Sequence, residues 1–215
     1  NPTLEHAMAD SHTGVKFTRR NEIEEARAPE VQRAFRALQD AINQTSTISK
    51  ALRGMIFVVS SLASGCRHCQ SHGAYGLSKS GLPVEKIRAL WEYETSPLFS
   101  EAERVALRFA SAAGQAPNAV TPEHHADLRK HYTDAEIAQI LAQLCVGGWL
   151  NRWNDSLATV TDQESLDWAM QNLATVGWDI GKHTGDASEQ RKGTPEQMRR
   201  AENEAWEKRT QKGAV

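Results

Sequence analysis

The stretch TISKALRGMIFVVSSLASGCRHCQSH, residues 47–72, decides the fold. Its first part sets Ile48, Leu52, Met55, Ile56, Val59 and Leu62 on one wide apolar face at helical spacing, the pattern of a buried helix. Gly65 is a natural terminator, because glycine takes the left-handed backbone that closes a helix. A second helix then runs from Cys66 to about Ser80 and stops at Gly81, so Cys66, His68 and Cys69 crowd its first turn.

Helical signals continue on both sides. Upstream, Val31, Phe35, Leu38 and Ile42 fall at i, i+4, i+7 and i+11, one apolar stripe. Downstream, Pro83 opens a short helix, and Ser100 with Glu103 forms a capping box for a helix to about Ala113. Thr121 followed by Pro122 starts a shorter one. Thr133 with Glu136 opens a helix to about Ala158, and Asp162 caps another that ends near Gly177. No stretch alternates with period two between hairpin turns. The expected fold class is therefore all-α, in one domain over residues 20–183. Residues 1–19 form an N-terminal extension with little to offer a core. From Gly181 the composition turns to Lys, Arg, Glu, Gln, Gly and Thr, so 184–215 is a charged C-terminal extension. Within it, Thr194-Pro195 starts a helix carrying Met198, Ala201, Ala205 and Trp206.

Composition excludes several classes. Among 215 residues the net charge is −2, which argues against nucleic acid or an anionic membrane as partner. No apolar run nears the ~20 residues that span a bilayer. There is no basic-then-apolar leader at the N-terminus, and two of the three cysteines are only two residues apart. A dispersed, even set would suggest a secreted disulfide scaffold; this spacing suggests thiol redox or metal chemistry and a cytoplasmic setting.

A cysteine attacks only as thiolate. A helix N-terminus favours anions through its unpaired N–H groups and dipole, and Arg67 and His68 add positive or potentially positive charge. Cys69 lies one turn from Cys66, close enough for a disulfide, so one sulfur can attack and the other resolve. His72, three residues beyond Cys69, shares its helix face and could serve as base or relay. A zinc reading would draw on Cys66, Cys69 and His72 with Cys145 or His68; a c-type haem is excluded because Gln70, not His, follows the second Cys. The redox reading is preferred, with neither metal nor cofactor expected.

Gly65-Cys66-Arg67-His68-Cys69-Gln70-Ser71-His72 resembles the Gly-Cys-Arg-Tyr-Cys-Gln-Ala-His motif of a bacterial subgroup in the carboxymuconolactone decarboxylase / alkyl hydroperoxidase D (AhpD-like) superfamily. Residues 91–100, 114–121 and 150–155 are similar to the same subgroup. The resemblance implies an all-helical domain assembling as homo-oligomers (trimers or hexamers) and a thiol peroxidase activity. It implies that Cys69 attacks, Cys66 resolves and His68 belongs to the proton relay. The partners implied are a small hydroperoxide or carbonyl-acid substrate and a thiol reductant. The other branch of the superfamily implies a cofactor-free decarboxylase or lyase, and a dithiol sensor is the non-enzymatic alternative. Two positions depart from the family motif. Gly54 stands where it has a Glu, and Gly73 where it has the relay His, with His72 one residue early and so rotated by ~100°. Ser60, Ser61, Asn151 and Asp155 are the polar residues that could replace the missing groups through water.

Several other residues draw attention. Cys145, on a long apolar helix, reads as a buried inert thiol. Gly147 and Gly148 read as points of close helix or subunit approach. Trp149, Asn151, Trp153, Asn154 and Asp155 mix core or interface positions with possible pocket positions. His124, His125 and His131 read as solvated. Tyr75 could face the dithiol or the core, and Glu92 and Glu94 read as surface charges.

Overall fold

The apolar periodicities become helices at nearly the expected bounds. The computed structural model describes residues 29–184. In order they form α1 (Pro29–Thr45), α2 (Lys50–Ser64), α3 (Arg67–Lys79), α4 (Val84–Arg88), a 3-10 turn at Ala89–Glu92, α5 (Glu101–Ala113), α6 (Pro122–Leu128), α7 (Asp134–Leu157), α8 (Gln163–Leu173) and a 3-10 turn at Ala174–Val176. No strand occurs among the described residues, and the fold is all-α. None of these helices is long and apolar enough to cross a membrane. Residues 1–28 and 185–215, with the expected tail helix after Thr194-Pro195, lie outside the described residues.

α2 is the centre, as its wide apolar face requires. It packs against α3, α5 and α7, and Met55, Ile56, Val58 and Val59 are buried, each stabilising by roughly 1.5–3 kcal/mol relative to exposure. Gly147 lets α7 close on α2, since a Cβ there would lie 3.1 Å from a ring carbon of Phe57. At Gly148 there is open space instead.

The capping residues act as read. Ser100 N–H donates to Glu103 (2.9 Å) while Glu103 N–H donates to Ser100 Oγ (3.2 Å). Thr133 and Glu136 repeat the arrangement on α7. At α6 the third-position partner of Thr121 is His124, whose Nδ1 accepts from Thr121 N–H at 3.1 Å. His125 packs edge-on to Phe109, with ring centroids 5.3 Å apart, so of the three histidines only His131 is simply exposed.

Three expectations fail, each for a geometric reason. Asp162 starts α8 but makes no side-chain capping bond; its carboxylate instead faces His72 at 3.2 Å. Cys145 is exposed, not buried, because it shares a face of α7 with Leu141 and Trp149 at i, i+4 and i+8, and that face points away from α2. In α1 only Phe35 of the apolar stripe is well buried, stacked on Trp149 at 5.6 Å, while Val31 and Leu38 are exposed.

Candidate functional site

The joint between α2 and α3 is built by Gly65. It takes φ +79°, its N–H reaches Leu62 O (3.2 Å), and Cys66 N–H reaches Ser61 O (3.2 Å). That paired closure, the Schellman arrangement, turns the chain so that Cys66 becomes the N-cap of α3. Gln70 Nε2 donates to the same Ser61 carbonyl at 3.1 Å and locks the turn.

Cys66 caps with sulfur where Ser or Asp is usual: its Sγ accepts from Cys69 N–H at 3.3 Å. Both thiols are free and essentially inaccessible. Asn154 of α7 donates from Nδ2 toward Cys69 Sγ at 3.7 Å. Burial pushes the Cys69 thiol well above its usual range, and its hydrogen bond to Cys66 pushes the same way, against the lowering by Asn154. The helix terminus was expected to favour thiolate; at Cys69 desolvation outweighs it.

Two family positions are filled by core. A Cβ at Gly54 would lie 2.5 Å from Leu77 Cδ2, and one at Gly73 would lie 2.7 Å from Val58 Cγ2 and 2.8 Å from Phe57 Cδ1. A side chain at either position requires these neighbours to give way. Of the polar substitutes, Ser61 Oγ lies 2.9 Å from Asn151 Oδ1 and Ser60 Oγ donates to Phe57 O at 3.0 Å, so these serve the helices. Asp155 comes to the dithiol.

It does so with a residue that sequence reasoning missed. His183 is completely buried. The segment after α7 and the one after α8 hold it: Thr161 N–H donates to His183 O (3.1 Å), His183 Nδ1–H donates to Thr159 O (2.9 Å), and Trp178 Nε1–H donates to Arg67 O (3.3 Å). The other ring nitrogen, Nε2, lies 3.4 Å from Asp155 Oδ1. Cys66 Sγ, an Asp155 oxygen and a His183 nitrogen all lie within 4.8 Å of one another. Burial holds the His183 imidazole below its ordinary pKa, against the pull of the Thr159 carbonyl and Asp155.

The expected histidines sit alongside. His68 Nδ1 is 3.3 Å from Thr161 Oγ1. Its ring lies 4.3 Å from that of His72 and 5.7 Å from that of His183. Three imidazoles thus run from the buried His183 to the partly exposed His72 and Asp162. The grouping that the alternative zinc reading drew on, Cys66, Cys69 and His72 with Cys145 or His68, is not what converges among the described residues, and Cys145 faces outward. Tyr75 is directed elsewhere, its hydroxyl donating to Glu164 at 3.0 Å. Glu94 pairs with Arg108 at 2.8 Å, which lowers its carboxyl pKa.

The helical hairpin with its two-cysteine first turn lies inside a stretch similar to known proteins. Residues 29–112 match the model of the carboxymuconolactone decarboxylase family, and the helical fold is AhpD-like. No curated protein matches it by sequence. Among solved structures, the debrominase Bmp8 is similar at 29% identity and TM-score 0.65 over 76% of this chain and 88% of its own. A Bmp8 cysteine-to-alanine variant in complex with 2,3,4-tribromopyrrole is similar at 28% and 0.65, over 78% and 91%. A protein of unknown function from Agrobacterium tumefaciens, linked by name to the antioxidant defence protein AhpD, shares the fold at 24% and 0.61, over 67% and 97%.

Proposed function

We propose that the chain is a dithiol reductase that delivers two electrons from Cys66 and Cys69 to a small electrophile, an organic hydroperoxide first. The observation that carries this reading is the pair of free, buried thiols one helical turn apart, joined through Cys66 Sγ and adjacent to an imidazole–carboxylate pair.

In this reading Cys69 attacks the outer oxygen of the hydroperoxide. The O–O bond breaks, the alcohol leaves with a proton, and Cys69 becomes a sulfenic acid. Cys66 then attacks that sulfur and releases water, forming the disulfide. One ROOH and two thiols give one ROH, one water and one disulfide, which an external thiol reductant reopens. In this reading Asn154 supports the Cys69 thiolate, and the His183 imidazole, with a ring nitrogen within 4.8 Å of Cys66 Sγ, takes the Cys66 proton. His68 and His72 extend the path toward solvent, in a chain that lacks the family's glutamate and relay histidine at Gly54 and Gly73.

Similarity to the debrominase supports a second substrate for the same electrons. With this chain's dithiol, an aryl bromide and two thiols would give the arene, bromide, a proton and the disulfide. The cofactor-free decarboxylase and the dithiol sensor are weaker, because a decarboxylase has no use for a paired dithiol and a sensor none for the converging base. Homo-oligomerisation is the reading we give to the exposed apolar positions Val31 and Leu38 on α1 and Leu141 and Trp149 on α7.

The test is turnover of cumene hydroperoxide, and separately bromide release from 2,3,4-tribromopyrrole, with a small dithiol as reductant. Cys69→Ser should lose at least ~10³-fold of whichever activity is present. Turnover unchanged by that substitution would eliminate the thiol reading.

A further inference from the structure

We propose that Cys66, Asp155 and His183 form a zinc site, three protein ligands around one position, which competes with the Cys66–Cys69 disulfide for the Cys66 sulfur. The site stands independently of the substrate reading above.

The His183 ring fixes the site. Its Nδ1 is 2.9 Å from Thr159 O. A carbonyl oxygen can only accept, so Nδ1 carries the proton, and the neutral ring presents a lone pair at Nε2. That nitrogen is buried and has no hydrogen-bond partner among the described residues. At 3.4 Å it faces Asp155 Oδ1, a second acceptor. Cys66 Sγ completes the group, all within 4.8 Å. Three electron-rich atoms from separate parts of the chain converge on one space.

The arrangement matches zinc chemistry in ligand type, spacing and support. Zinc takes Cys sulfur, His nitrogen and carboxylate oxygen at about 2.0–2.3 Å in tetrahedral geometry, which separates neighbouring ligand atoms by roughly 3.3–3.7 Å. The His183–Asp155 separation of 3.4 Å falls in that range. A metal-bound histidine almost always donates its other N–H to a carbonyl or carboxylate, as His183 does to Thr159. Asp155 is steadied from outside, with Lys182 Nζ 2.8 Å from its other oxygen, Oδ2. Three ligands leave the fourth position open, the form found in catalytic rather than structural zinc sites. Since a zinc-bound Cys66 sulfur cannot also resolve Cys69, zinc and disulfide exclude each other.

The test uses the full-length, reduced, chelator-treated chain. One equivalent of Co²⁺ should give the near-ultraviolet sulfur-to-cobalt charge-transfer band and the strong visible bands of a four-coordinate ion, and Zn²⁺ should erase both. In competition with a chromophoric chelator, His183→Gln and Asp155→Asn should each weaken zinc binding at least ~100-fold, since loss of mere supporting partners already costs 10–100-fold. Cys66→Ser should remove the charge-transfer band, and Cys145→Ser should leave it intact. Zinc should also protect Cys66 from alkylation. Far-ultraviolet circular dichroism checks the fold of each variant. Should His183→Gln fail to fold, Asp155→Asn, at a partly exposed position, decides the matter. Zinc affinity that stays within a few-fold in the folded variants, or a charge-transfer band that survives Cys66→Ser, overturns the proposal.

Discussion

Cys69 combines two features that pull apart: Asn154 stabilises its thiolate, while burial and the Cys66 hydrogen bond hold it protonated. A reaction that depends on this sulfur should accelerate as pH rises through the ordinary thiol value of ~8.5 and keep climbing beyond it. A plateau near neutrality in a pH–rate profile would contradict that assignment. His183 gives the opposite pH signature in stability. Its folded pKa lies below the unfolded value, so on acidification the unfolded chain takes up a proton before the folded one does. Stability should fall as pH drops below ~6.5 toward the depressed folded value. Denaturant melts of His183→Gln should show a flatter profile across that window. The motif alone identified Cys66, Cys69, His68 and His72. His183 was illegible because it sits more than a hundred residues from the dithiol, at the border of a polar tail, and only the packing of two irregular segments brings it in. Asp155 was visible merely as one of several polar residues, since side-chain direction on α7 does not follow from spacing alone.

At the scale of elements, the α2–α3 hairpin explains why this chain departs from the family motif. Leu77 occupies the space a side chain at Gly54 would need, and Phe57 with Val58 occupies that at Gly73. Restoring the family residue by Gly54→Glu should therefore cost about 1–3 kcal/mol through overpacking and bring no gain in turnover. Equal or higher stability together with increased turnover would show that α3 can shift to accept it. Caps and terminators were readable because they act over three or four residues: Gly65, Ser100 and Thr133 do locally what their chemistry dictates. The failures came where tertiary partners decide. Asp162 turns from the helix end to His72, and the Cys145 face of α7 depends on which side α2 occupies.

Across the described residues as a whole, α1 and α7 carry exposed apolar side chains, Val31, Leu38, Leu141 and Trp149. If a second copy covers them, Leu141→Glu should shift the sedimentation coefficient of the full chain to that of a smaller species without changing its circular dichroism. An unchanged oligomer would place the contact elsewhere. The proposed chemistry, however, lies at the α2–α3 joint, where the helical hairpin holds two thiols one turn apart. Its most direct test is a single turnover without added reductant: the reduced chain is mixed with cumene hydroperoxide, the thiols are alkylated, and the peptides are resolved by mass spectrometry. The account predicts one Cys66–Cys69 disulfide for each alcohol formed. Alcohol formed while both cysteines remain fully alkylatable would contradict it.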